Sequence, residues 1–97
     1  MITIKLSHTA VVGLNRGYRY YERKEIGLGD YFKNTLLAEI EGLSVTAGIH
    51  RMVHGHHRMI SRVFPYAIYY KFSNETADVR AVIDCRRNPD WIRKQFE

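Results

Sequence analysis

Residues 2–6 alternate Ile2, Ile4 and Leu6 against Thr3 and Lys5, the period of two that a strand shows when one face is buried. Ser7 follows where a helix N-cap belongs, its hydroxyl placed to accept an orphan N–H of the next turn. Over residues 8–25 the period becomes helical. Val11, Leu14, Tyr18 and Tyr21 share one stripe, while Asn15, Arg16, Arg19, Glu22 and Arg23 lie mainly elsewhere. Gly27 and Gly29 then offer positive-φ conformations for reversing the chain, so a helical hairpin turn is predicted. A second helix runs from Asp30 to about residue 43 on the stripe Phe32, Leu36, Ile40 and Leu43. Gly13 and Gly17 each cost a helix interior about 1 kcal/mol against alanine, and close approach of the second helix is the simplest reason for both.

After residue 48 the pattern is that of strands. Residues 57–63 and 66–72 are dense in aromatic and branched side chains, with Phe64-Pro65 turning the chain between them. Ser73 to Thr76 supplies a second turn, and residues 77–84 form a further strand with Val79, Ala81 and Ile83 on one face. Asn88-Pro89 opens a terminal helix over residues 89–96, with Asn88 as N-cap and Pro89 where its missing N–H costs nothing. The predicted order is βααβββα, an α+β fold built on an antiparallel meander.

With 97 residues and no linker or repeat, one domain spanning 1–97 is expected. No apolar run is long enough to span a membrane, and the N-terminus lacks the layout of a secretory signal, so a cytoplasmic protein is expected. The lone Cys85 excludes an internal disulfide and agrees with a reducing compartment. Charge sharpens the picture. The net +5 is uneven, residues 1–48 carrying +1 and residues 49–97 carrying +4, which points to an acidic partner, nucleic acid or protein.

Four histidines, His50, His54, His56 and His57, raise a metal reading, but Gly55 loosens the segment and no carboxylate stands at a ligand spacing. No metal site and no cofactor is expected. Asp84-Cys85-Arg86-Arg87 matches no nucleophile signature, so Cys85 reads as a small side chain, buried or half-buried, ending a strand. Asn74-Glu75-Thr76 reads as hairpin chemistry rather than a glycosylation acceptor. What remains is arginine. Arg58 and Arg62 fall on one face of a strand, Arg86 and Arg87 follow the last strand, and Arg93 stands in the terminal helix. Guanidinium groups so placed can fork onto phosphates or carboxylates, with Tyr66, Tyr69, Tyr70 and Trp91 as stacking planes.

The motifs Gly27-Leu28-Gly29-Asp30-Tyr31-Phe32, His54-Gly55-His56-His57-Arg58, Phe64-Pro65-Tyr66-Ala67-Ile68-Tyr69-Tyr70 and Asp84-Cys85-Arg86-Arg87-Asn88-Pro89 resemble the RelE/ParE toxins of type II toxin–antitoxin modules. The resemblance covers nearly the whole chain and implies a helical hairpin packed on a twisted antiparallel sheet. It implies a cognate antitoxin as partner and a role in plasmid stabilisation. RelE-like members cleave messenger RNA on the ribosome with basic and tyrosine side chains, whereas ParE-like members poison DNA gyrase. In the RelE-like pattern an arginine follows the tyrosine that opens the middle meander strand; here Ala67 follows Tyr66. The lysines of the preceding strand are absent too, Met59, Ile60 and Ser61 standing there. The chain therefore resembles the ParE-like branch, a gyrase-binding inhibitor; the alternative is an enzyme, a RelE-like ribosome-dependent mRNA endonuclease, and direct nucleic-acid contact belongs to that alternative. Its expected target- or partner-binding residues are Arg58, Arg62, Tyr69, Arg86, Arg87, Trp91 and Arg93.

Overall fold

In the computed structural model, which describes Met1–Glu97, the N-terminal strand is β1 (Thr3–Leu6) and the hairpin is α1 (His8–Lys24) with α2 (Leu28–Glu41). A short α3 (Leu43–Thr46) follows, then β2 (Met52–Val53), β3 (His56–Ile60), β4 (Tyr66–Ser73), β5 (Thr76–Asp84) and α4 (Pro89–Lys94). This is the predicted order with α3 and β2 added. No helix is long and apolar enough to cross a membrane.

The five strands form one sheet in the order β1-β5-β4-β3-β2. The sheet is mixed rather than wholly antiparallel, because β1 joins β5 in parallel, from Thr3 opposite Thr76 to Leu6 opposite Val79. Sequence periodicity fixes neither partner nor direction. The missed β2 closes onto β3 through His54-Gly55, both at positive φ, a two-residue hairpin of the kind that matches strand twist. Gly55 therefore tightens this segment instead of loosening it. Asn74 and Glu75, also at positive φ, make the equivalent turn between β4 and β5.

Both predicted caps form. The Ser7 hydroxyl accepts the Ala10 N–H at 3.1 Å, and the Asn88 side chain accepts the N–H groups of Asp90 and Trp91. Phe32, Leu36, Ile40 and Leu43 are all fully buried, as their spacing requires. The stripe on α1 is displaced by one residue from the predicted one. Ala10, Leu14, Gly17 and the half-buried Tyr21 face inward, whereas Val11 is exposed. Small residues lie inside because α1 rests very close to the sheet: a Cβ on Gly13 would stand 2.3 Å from the Val82 carbonyl oxygen. Gly13 thus serves the contact with β5, while Gly17 serves the second helix, where a Cβ would meet the Phe32 ring at 2.4 Å.

The sheet carries a core on each side. Under the hairpin lie Ile68, Tyr70, Ala77, Val79 and Val82 with the helix residues above; on the other side Ala67, Tyr69, Ala81 and Ile83 are covered by Trp91, Ile92 and Phe96 of the C-terminal segment. A β-bulge sets this division. Tyr69 pairs with Ala81 but Tyr70 pairs with Val79, leaving Arg80 as an extra residue on β5. Val79 therefore faces the hairpin and Ala81 and Ile83 face α4, correcting the single face expected for the three. Ser7 anchors the bulge, its N–H donating to the Val79 carbonyl and its hydroxyl to that of Arg80.

Candidate functional site

On the α4 side of the sheet a groove of about 380 Å³ is lined by His54, Arg58, Tyr69, Cys85, Arg87, Pro89, Asp90, Ile92 and Arg93. Arg58 on β3 stands in register with Tyr69 on β4, and the turn after β5 brings Arg87 to the same groove. Four of the seven expected binding residues, Arg58, Tyr69, Arg87 and Arg93, are therefore brought together.

Their chemistry differs. The ion pairs of the chain are Arg80 with Asp78, Arg86 with Asp84, and Arg93 with both Asp90 and Glu97. Arg93 is thus largely neutralised within its own helix end, while Arg58 and Arg87 reach the groove with no carboxylate partner. The Arg87 guanidinium lies 3.7 Å from the centre of the Trp91 ring, a cation–π contact that holds it in place without cancelling its charge. Trp91 is half-buried and docks α4 onto the second core. Tyr69 is buried, its ring packed 4.6 Å from that of Phe96, so it forms the floor.

Arg86 is turned to the other side. Its Nε and Nη2 fork onto the two Asp84 oxygens at 2.9 and 2.8 Å, and its guanidinium lies 5.4 Å from the Tyr20 ring of α1. Burial alone would raise the pKa of Asp84, but the hydrogen bonds and charge of Arg86 outweigh it and hold the carboxyl below its usual range. The same bonds raise the pKa of Arg86 further. Burial, with Asp84 next in effect, pushes the neighbouring Tyr66 hydroxyl up to about 12.

Arg62 does not join Arg58. The strand ends at Ile60, and the Ser61 hydroxyl accepts the N–H groups of Val63 and Phe64, bending the chain off the sheet. The Arg62 N–H is held by Glu39 of α2, and its side chain lines a separate cleft with Glu39, His50 and Ile60. Cys85, expected to be buried or half-buried, is exposed in the turn after β5. Partial shielding raises its thiol pKa despite the pull of Arg58, so it stays protonated at neutral pH.

The histidines divide between two aromatic contacts. His57 stacks on Tyr70, whose hydroxyl also meets His50 Nδ1, while His54 and His56 pack against Phe96. No group of three metal-ligating side chains converges anywhere in the chain. Sequence reasoning missed His54 and Ile92 as groove residues, and missed Arg16 and Tyr20 of α1, which share a second cleft with Arg87 and Trp91. The HG turn before β3 is the signal that could have placed His54; nothing local links Arg16 to Arg87.

A chain solved as part of the chromosomal ParDE TA system from P. aeruginosa superposes on this one with a TM-score of 0.77, covering 87% of this chain and 96% of its own at 12% identity. The fold is ParE-like. No protein-family model matches the chain, and no curated protein sequence does. Within the ParE-like fold, the groove lies between the β3–β4 surface and α4, on the face opposite the hairpin.

Proposed function

We propose that this chain is the toxin of a type II toxin–antitoxin module of the ParE-like kind, inhibiting DNA gyrase by binding and neutralised by a cognate antitoxin. The observation that carries the reading is the ParE-like fold extending over 87% of the chain. The groove supports it, because two unpaired guanidinium groups, Arg58 and Arg87, stand beside the apolar surface of Ile92 and Tyr69. That combination suits an acidic, amphipathic protein segment. The rival reading, a ribosome-dependent mRNA endonuclease, gains less. RNA cleavage needs a base at the 2′-hydroxyl and cations at the charged transition state. Here Arg62 lies in another cleft, Tyr69 is packed under Phe96, and Ala67 is buried.

The deciding test is a pair of assays with the purified chain: supercoiling by gyrase, and cleavage of an mRNA under translation. Loss of supercoiling with intact mRNA is the expected result, reversed by the product of the adjacent reading frame. Cleaved mRNA with unaffected supercoiling would establish the endonuclease instead.

A further inference from the structure

The outer surface of α1 and the turn after β5 meet in one electropositive ridge on the hairpin side of the molecule. Arg16, Arg19 and Arg23 recur at helical spacing and, with Lys24, are exposed. Aromatic contacts carry the ridge across to β5: Lys24 lies 5.0 Å and Arg86 5.4 Å from the Tyr20 ring, and Arg16 and Arg87 line one cleft with Tyr20 and Trp91. Residues 16–24 and 84–87 hold six cations against two carboxylates, a net +4 out of +5 for the whole chain. Both carboxylates are already engaged, Glu22 by the N–H groups of Gly27 and Gly29 and Asp84 by Arg86. Residues 16–24 supply +3 of this and residues 84–87 supply +1, so most of the ridge belongs to the first half, whose whole-segment count of +1 hides it.

We propose that this ridge binds the phosphate backbone of double-stranded DNA without reading its sequence. From Arg16 to Lys24 a helix rises about 12 Å, a length along which a duplex presents about seven phosphate charges. The groups offered are guanidinium and ammonium, which fix position on a backbone and carry no base code. A single strand fits less well. Lys24 and Arg86 occupy Tyr20 and Arg87 occupies Trp91, so these rings are not free platforms for unstacked bases. The proposal does not rest on the toxin reading: of the ridge cations only Arg87 also lines the groove, the helix cations Arg16, Arg19, Arg23 and Lys24 lie outside it, and no gyrase, ribosome or antitoxin is needed.

The test is fluorescence anisotropy of a short labelled duplex of mixed sequence, titrated with the full chain between about 50 and 200 mM salt. Four phosphate contacts give a slope of log K against log salt near −3.6, at about −0.9 per contact. The triple variant Arg16→Ala, Arg19→Ala, Arg23→Ala is expected to lose at least tenfold in affinity and about 2.7 of that slope. Lys5→Ala, Arg51→Ala, Lys71→Ala removes the same charge at exposed positions off the ridge and should leave the slope unchanged. Should the ridge triple unfold by circular dichroism, the single Arg19→Gln carries the test, with an expected slope change of about 0.9. Equal losses in the two triples, an unchanged slope in Arg19→Gln, or no binding at low salt would each overturn the proposal. So would tighter binding to a single strand of equal length, or to vesicles containing phosphatidylserine.

Discussion

Arg86 and Arg87 are adjacent in the chain and opposite in role. Arg86 is fastened to Asp84 by two side-chain hydrogen bonds, whereas Arg87 meets only an indole ring and leaves its charge unspent. Arg58→Ala and Arg87→Ala should change stability by less than about 0.5 kcal/mol yet weaken antitoxin binding by about 2 kcal/mol or more. Arg86→Ala should do the reverse, lowering stability by about 1 kcal/mol with little effect on affinity. Denaturant melts and titration calorimetry on the same three variants separate these roles; unfolding of the Arg58 or Arg87 variant would make that residue structural. Asp84 carries the pH dependence of this corner. Its folded-state pKa lies below the ordinary carboxylate value, so the stability it contributes is full above that value and lost as pH falls through the folded one. Stability should therefore decline below about pH 4, and Asp84→Asn, less stable at neutral pH, should show a flatter acid limb in pH-dependent melts.

At the scale of elements, sequence pattern was most informative where a helix buries large residues and least where it buries small ones. The stripe Phe32, Leu36, Ile40, Leu43 announces α2 and its buried side at once. In α1 the inward positions include Ala10, Gly13 and Gly17, which carry no hydrophobic signal, so the larger Val11 and Tyr18 drew the predicted stripe one residue aside. The reason is steric: the helix lies too near β5 to admit a methyl group. Gly13→Ala should accordingly destabilise the protein by about 2 kcal/mol or more despite the roughly 1 kcal/mol that alanine favours a helix. Gly17→Ala should follow suit, since Phe32 is fully buried and its ring has nowhere to retreat. Thermal melts check both, and a rise in Tm for either would show that the close approach is softer than these distances require. The strands were legible from their branched and aromatic residues, but β2 is two residues long and lies below any periodicity.

Across the whole molecule, the candidate groove was half legible. Arg58 within a strand, Arg87 after the last strand and Arg93 in the terminal helix are each visible as cations, but whether each is free or paired depends on neighbours such as Asp90 and Glu97 that no spacing rule selects. Arg62 fell out because one serine hydroxyl bends the chain. The terminal segment joins the groove to the second core through Trp91, Ile92 and Phe96. Deleting residues 88–97 should leave the hairpin-side core folded, uncover Tyr69, Ala81 and Ile83, and abolish the proposed inhibition of gyrase. Circular dichroism, dye binding to exposed apolar surface and the supercoiling assay read the three effects, and inhibition that survives the deletion would remove α4 from the target surface. The extra residue at Arg80 has a consequence for insertions and deletions in this chain. It acts as a frame boundary: upstream of it odd-numbered residues of β5 belong to the hairpin core, and downstream odd-numbered residues belong to the α4 core. Removing Arg80 alone would set Val79 next to Ala81 and restore regular alternation, so Val79 and Val82 would still face the hairpin and Ala81 and Ile83 would still face α4. Loss or gain of one residue elsewhere in β5 would carry one of the two buried sets to the opposite face, so single-residue length differences in this strand should fall at the bulge among sequences that share the fold.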